Sequence, residues 1–203
     1  MNDFILSTPY IASLFYISVG LISFIMYNNA NADYHTDTGK IRSLRSFMYF
    51  YKLIQLTTLI ACLFSFWSDS PTLFKLFVSN DYLIYFGISI SGVAISLFAM
   101  ARFSLGDNYS PCYDSYLPKY INTSGVYSIV RHPIYSSNIL LVIGIFISSA
   151  SAIVLFNGVV LTLYYYISAA REENAISKKF PNYSTYQIKT GMFFPHLVKS
   201  IVK

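Results

Sequence analysis

Apolar residues come in long uninterrupted runs, and the polar ones are confined to the gaps between them. The runs at about Pro9 to Tyr27, Met48 to Trp67 and Tyr82 to Met100 each approach the ~20 residues needed to cross ~30 Å of hydrocarbon, so each predicts a spanning helix. The next stretch, Ile134 to Ala170, holds neither charge nor proline, yet as one straight helix it would be nearly twice as long as the bilayer is thick. It must double back. The small polar cluster Ser148, Ser149, Ala150, Ser151 suits the turn, because turning later, at Asn157 and Gly158, leaves the last helix too short. The expected fold is all-α, an integral membrane bundle of about five transmembrane helices. It forms a single membrane domain over 1–203, with three N-terminal spans in 1–101 and a loop, a helical hairpin and a tail in 102–203. The segment Asp69 to Asp81, with Phe74, Leu76 and Phe77, is too short to cross and is expected to lie on the outer surface.

Composition agrees with this pattern. Hydrophobic residues make up 55% of the 203 and charged ones 11%, against about a quarter charged in soluble domains. The net charge of +5 flanks apolar runs and forms no basic stripe, so it points to lipid headgroups and away from nucleic acid. Lys and Arg in short loops are retained in the cytoplasm. With the N-terminus outside and the C-terminus cytoplasmic, every basic residue except Lys75 falls on the inner side. That set includes Lys40, Arg42, Arg45, Arg102, Arg131, Arg171, Lys199 and Lys203. A signal peptide ending near Ala30-Asn31-Ala32 is the weaker reading, because Met1-Asn2-Asp3 lacks positive charge. Cys62 and Cys112 form no CxxC pair, and His35, His132 and His196 are too dispersed for a metal cage, so no metal is expected.

Two places concentrate polar side chains at the membrane edge. In Gly125-Val-Tyr-Ser-Ile-Val-Arg-His-Pro-Ile-Tyr135, Pro133 marks a helix start, because its missing N–H costs nothing in the first turn. The free N–H groups and positive dipole end there favour an anion. Arg131, His132 and Tyr135 share one face if the helical path begins early, and Ser136, Ser137 and Asn138 keep the first turn polar. The second place is Arg171-Glu-Glu-Asn, directly after the fifth span, followed by Phe180, Tyr183, Tyr186 and Phe194-Pro195. Since the last two spans form a hairpin, His132 and Glu172 are expected to be neighbours, and an acidic pair there can bind an ammonium or orient an arginine. Lys52, Gln55 and Tyr164 to Tyr166 read as snorkelling or interfacial-belt residues.

From Arg102 to Pro195 the chain resembles the isoprenylcysteine carboxyl methyltransferase family, within the wider group of small membrane methyltransferases that includes phospholipid N-methyltransferases. The likeness is carried by Arg102, Leu105-Gly106, Tyr109-Ser110, Thr123-Ser-Gly-Val-Tyr127, Arg131-His-Pro-Ile-Tyr135 and Glu172-Glu173, with Phe180, Tyr183, Tyr186 and Pro195. It implies an S-adenosylmethionine-dependent methyltransferase whose cofactor is held without a Rossmann domain, and the chain indeed has no Gly-rich nucleotide loop. Carried over by position, Tyr127, Arg131, His132, Pro133, Tyr135, Glu172 and Glu173 are expected to bind the cofactor. Arg171, Glu172 and Arg102 are the catalytic candidates, with an arginine beside a substrate carboxylate. The chain departs from the family pattern at Val126 and Ser137, and at Ser168 and Ala169 where a basic residue is common.

The expected substrate is lipidated or hydrophobic, foremost a prenylcysteine-type carboxylate, with its tail reaching the site sideways between helices. Expected partners are membrane lipids and a lipidated protein or hydrophobic small molecule, with no nucleic acid and no oligomeric state specified. The expected location is a bacterial cytoplasmic or endoplasmic reticulum membrane, with the active site facing the cytoplasm. Competing readings are a phospholipid or small-molecule N- or S-methyltransferase, an NADPH-dependent sterol-type reductase, and a non-catalytic scaffold or small transporter.

Overall fold

The computed structural model describes residues 7–29, 45–68, 75–110 and 115–196. Ala30 to Ala32, His35, Lys40, Arg42, Phe74, Cys112, Lys199 and Lys203 lie outside the described residues.

The described residues are all-helical, with no strand among them. They form α1 (Thr8–Asn29), α2 (Arg45–Trp67), α3 (Asp81–Leu105), α4 (Pro133–Ser149), α5 (Ala152–Lys179) and a short α6 (Tyr183–Lys189). Four of these, α1, α2, α3 and α5, are long and apolar enough to cross a membrane, and α4 is a shorter apolar helix. The hairpin turn falls where the small residues predict. Helix α4 ends at Ser149, Ala150 takes a left-handed conformation at φ 53°, and α5 starts at Ala152.

Between α3 and α4 the packing rests on small residues, which let two backbones come close where the bilayer supplies no hydrophobic drive. A Cβ on Gly87 would lie 2.4 Å from the Gly144 carbonyl oxygen, so no larger residue fits there. Buried hydroxyls close this seam. The Tyr16 hydroxyl meets Ser148 at 2.7 Å and Ser91 at 3.3 Å, and Ser148 Oγ donates to the Ile84 carbonyl at 3.0 Å. On the other flank, Asn157 of α5 donates to Thr57 and Thr58 of α2 at 3.0 and 2.9 Å, tying the N-terminal helices to the hairpin.

The turn end is closed by the segment before α3. Lys75 pairs in antiparallel fashion with Ser151, its ammonium donates to the Ser65 carbonyl at 3.2 Å, and Phe77 packs edge-on against Phe146. Residues 75–80, the described part of the segment read as an outer-surface loop, therefore cap the helices at this end.

One expectation needs correction. Tyr164 and Tyr165 are buried core residues, and only Tyr166 of that run is exposed. The helical period turns the first two toward α2 and α4, where Tyr165 and Tyr51 join hydroxyls at 3.0 Å, satisfying a polar group that burial would otherwise penalise. Helix α5 runs on past Arg171. Glu and Lys are good helix formers, so it continues to Lys179 and ends at Phe180, which precedes Pro181 and is disfavoured from helix for that reason. The charge-free part, 152–170, is about the length needed to span hydrocarbon, and the acids ride on the extension beyond it.

Candidate active site

Pro133 sits in the first turn of α4 and His132 at its N-cap, with no side-chain cap bond, so the imidazole is free to reach sideways. It reaches the acids of α5. His132 Nε2 lies 3.1 Å from Glu173 Oε1, and Nδ1 lies 3.8 Å from Glu172 Oε2. Arg131 grips Glu173 with both ends of its fork, Nε at 2.7 Å and Nη2 at 3.2 Å, while Gln187 of α6 donates to the same carboxylate at 2.8 Å. The remaining Arg131 nitrogen donates to the Gln187 carbonyl at 3.0 Å and to the Thr190 carbonyl.

The tail after α6 completes the clamp. The Arg131 and His132 amides donate to the Gly191 and Met192 carbonyls at 2.8 and 3.0 Å, and Ser136 Oγ donates to the Phe193 carbonyl at 2.8 Å. Gly191 is required at that bend, because a Cβ would come within 1.8 Å of the Phe194 carbonyl oxygen.

The two acids, adjacent in sequence, have different surroundings. Glu173 faces the clamp and does not line the cleft. Burial opposes its charge, but the hydrogen bonds from His132, Arg131 and Gln187 outweigh that and hold its carboxyl down at about 2. Glu172 lines the cleft and accepts the Tyr135 hydroxyl at 2.6 Å. Burial is the largest influence on it and pushes its pKa up, against the opposing pull of His132 and of hydrogen bonds from Tyr135 and Ser115. Tyr135 is itself fixed between the His132 ring at 5.4 Å and the Tyr165 ring at 5.1 Å, both nearly parallel to it.

The cleft encloses about 930 Å³ including its mouth, and its walls are the loop between α3 and α4, the start of α4 and the extension of α5. Among the groups that line it, Glu172 is the acid, Arg131 and His132 are basic, Asn108, Asn122 and Asn138 are amides, and Tyr109, Tyr116 and Tyr127 are among the aromatic rings. Tyr127 is buried, with its hydroxyl 3.4 Å from the Ala101 carbonyl, and burial pushes its phenol upward. Its carbonyl accepts the Tyr186 hydroxyl, whose pKa burial raises to about 12.

Of the residues singled out in the sequence, Arg131, His132, Tyr135, Glu172 and Glu173 are thus brought into one network, with Tyr127 and Pro133 in the cleft wall. Arg102 does not line the cleft; its guanidinium lies 4.0 Å from the ring centre of Tyr109, which does, and donates to the Gly106 carbonyl at 3.1 Å. Arg171 is exposed and is not joined to the acids or to the cleft. Gln187 and Thr190 were not singled out, because a residue that anchors a clamp through one amide or one carbonyl carries no motif. Ser115 was missed for the same reason.

Residues 82–183, half of the chain, match the phospholipid methyltransferase family. A stretch of 76 residues is 33% identical to the cobalt-zinc-cadmium resistance protein CzcN of Cupriavidus metallidurans, covering 37% of this chain and 35% of that protein. The match thus spans about a third of that relative's length. The family match runs from α3 to the first residue of α6, so it takes in the cleft and both acids but leaves out α1 and α2.

Proposed function

The chain belongs to the phospholipid methyltransferase family, multi-pass membrane methyltransferases related to the isoprenylcysteine carboxyl methyltransferases, and from that premise we propose that its cleft binds S-adenosylmethionine beside an acceptor carried on a hydrocarbon tail. Members of this family generally use that donor. The observation that carries the reading is the division of labour between the acids, one locked in the clamp and one left facing the cleft.

The residues present fit such a ligand. An ammonium finds Glu172, a carboxylate finds the positive dipole end of α4 beside Arg131 and His132, and a sugar and base find the asparagines and tyrosine faces. When bound, the donor supplies a methyl on a sulfonium, whose transfer breaks the carbon–sulfur bond, leaves the electron pair on sulfur and forms the new bond from a lone pair of the acceptor. The protein's part is alignment and exclusion of water. Tyr135 holds Glu172 in place, and the clamp of Arg131, His132, Glu173 and Gln187 fixes the start of α4 against α5.

Among the acceptors, a prenylcysteine-type carboxylate is the leading one, because it is already ionised and needs only a cation. Arg102, stacked on the cleft residue Tyr109, is the better candidate for that role, since Arg171 is exposed and touches no cleft residue. The whole chain is read as one membrane domain with the cleft on the cytoplasmic side, where the basic residues gather. Purified protein in detergent should bind S-adenosylhomocysteine saturably, and NADPH should give no thermal shift. No saturable binding of S-adenosylhomocysteine in any of several lipid mixtures would remove the proposal.

A further inference from the structure

The tail after α6 lies outside the family match, yet it is bound closely to the start of α4. Four successive carbonyls, those of Thr190, Gly191, Met192 and Phe193, accept in turn from the Arg131 guanidinium, the Arg131 amide, the His132 amide and the Ser136 hydroxyl. Bonds to main-chain oxygens fix the path of residues 190–193 whatever side chains they carry. The side chains are left free for another task.

Phe193 has one. Its ring stands edge-on to two rings at once, with its centre 6.1 Å from His132 at 62° and 6.5 Å from Tyr135 at 65°. His132 and Tyr135 are stacked 5.4 Å apart and within 5° of parallel, and Tyr165 stacks on Tyr135 as well. Parallel rings can slide past one another at little cost, and a third ring placed edge-on opposes that slide. Phe193 also packs against the core cluster that contains Tyr135, Tyr165 and Ala169.

Phe193 does not line the cleft, whereas both rings that it braces do. Each of them reaches Glu172, the Tyr135 hydroxyl at 2.6 Å and His132 Nδ1 at 3.8 Å. A slide of about 1 Å would carry the Tyr135 hydroxyl out of hydrogen-bond range. We propose that Phe193 is a positioning residue for the donor: from outside the cleft it holds Tyr135 and His132 in place, and through them it aims the Glu172 carboxylate at the donor's ammonium. This rests on the cleft being the donor site, and it gives the tail control over how tightly the donor is held.

The test uses the full-length protein in detergent. Phe193→Leu keeps the apolar bulk and removes the flat ring, while Phe193→Tyr keeps the ring. Phe193→Leu should weaken S-adenosylhomocysteine about tenfold at neutral pH, the size of one hydrogen bond to a charged group, and Tyr135→Phe should do the same. The double variant should bind no more weakly than either single one, because both remove the same support of Glu172. Phe193→Tyr should bind as the native protein does. Phe193→Ile should behave as Phe193→Leu, which guards against one variant misfolding.

A second readout needs no ligand. The Tyr135 hydroxyl favours the ionised form of Glu172, so its loss lets burial raise that carboxyl further. Stability contributed by Glu172 falls as pH rises through its raised pKa, and in Phe193→Leu that fall should move to higher pH. It is read as the difference from Glu172→Gln in the same background. His132 of α4, Ser115 and Tyr127 of the loop before it, Tyr183 of α6 and Glu173 of α5 also face Glu172, and all stay in place in these variants. A merely structural role for Phe193 would lower the melting temperature equally at every pH. A fall that stays where it is in Phe193→Leu would overturn the proposal, as would losses of S-adenosylhomocysteine affinity that add in full between Phe193→Leu and Tyr135→Phe. A fall that moves in a protein unable to bind S-adenosylhomocysteine would instead count against the donor reading and leave the positioning of Glu172 standing.

Discussion

The two ends of the α4–α5 hairpin are built from the same pair of helices by opposite means. At the turn end small residues and neutral hydroxyls let helices touch, as in the Tyr16, Ser91 and Ser148 cluster and the Gly87 and Gly144 contact. At the cleft end long polar side chains join the helices, Glu173 through Arg131 and Glu172 through Tyr135, and Glu172 also lines the open cleft. The difference shows how one bundle combines a shut seam with a usable cavity. Close backbone packing excludes everything, whereas a cluster of long side chains, fully paired on one face, leaves an unfilled space on the other.

Removing the charge that holds the cleft end should produce the largest effect. Glu173→Ala strips Arg131, His132 and Gln187 of their common partner and should cost about 3–5 kcal/mol, because the buried Arg131 side chain loses its counter-charge. Thermal unfolding in detergent measures this, and a loss under about 1 kcal/mol would mean that the clamp does not hold the cleft end together. Glu172→Gln keeps the shape and removes the charge facing the cleft. It should leave the melting temperature near native while weakening S-adenosylhomocysteine about 10–100-fold, the size of one charge-assisted hydrogen bond. A Glu172→Gln protein that binds normally in equilibrium titration would move the ammonium site elsewhere.

The third prediction separates the acids by pH. Burial raises the Glu172 pKa above the ordinary 4.5, so the folded protein holds a proton that the unfolded chain has lost. Stability from this group therefore falls as pH rises from 4.5 through the raised value and is level above it. A cationic ligand pairs with the ionised form, so affinity for S-adenosylhomocysteine should rise with pH across the same window. Glu173, held at about 2, is already ionised throughout and its contribution is lost only in stronger acid. His132 and Glu173 also face Glu172, so the rise is assigned to Glu172 by its disappearance in Glu172→Gln. A rise that persists in that variant would assign it to another group.

The smallest effect belongs to the turn end. Ser148→Ala removes two hydroxyl bonds inside the seam and should cost only about 0.6 kcal/mol, as is usual for polar contacts between membrane helices, with ligand binding unchanged. If it instead weakened S-adenosylhomocysteine in the same titration, the two ends would be coupled through α4 and not independent.

Much of this was legible in the chain itself. Span lengths, the doubling back at Ser148 to Ser151 and the helix start at Pro133 are local properties, fixed by hydrophobic run length, small polar residues and proline geometry. The meeting of Arg131 and His132 with Glu172 and Glu173 also followed, because a hairpin returns the chain to the level it left. Where α5 ends was not legible, since charge marks the edge of hydrocarbon but does not end a helix. Nor was the inward turn of Tyr164 and Tyr165, which looked like belt residues until a partner for each could be seen.

The sequence by itself therefore determined that the chain crosses a membrane several times and which residues gather at one end of its hairpin, because those follow from run length and connectivity. Tertiary structure alone decided which acid is spent on the clamp and which faces the cleft, and that Arg171 does not line it. Neighbouring residues on a helix differ by about 100° in direction, and what each one meets depends on helices that lie far away along the chain.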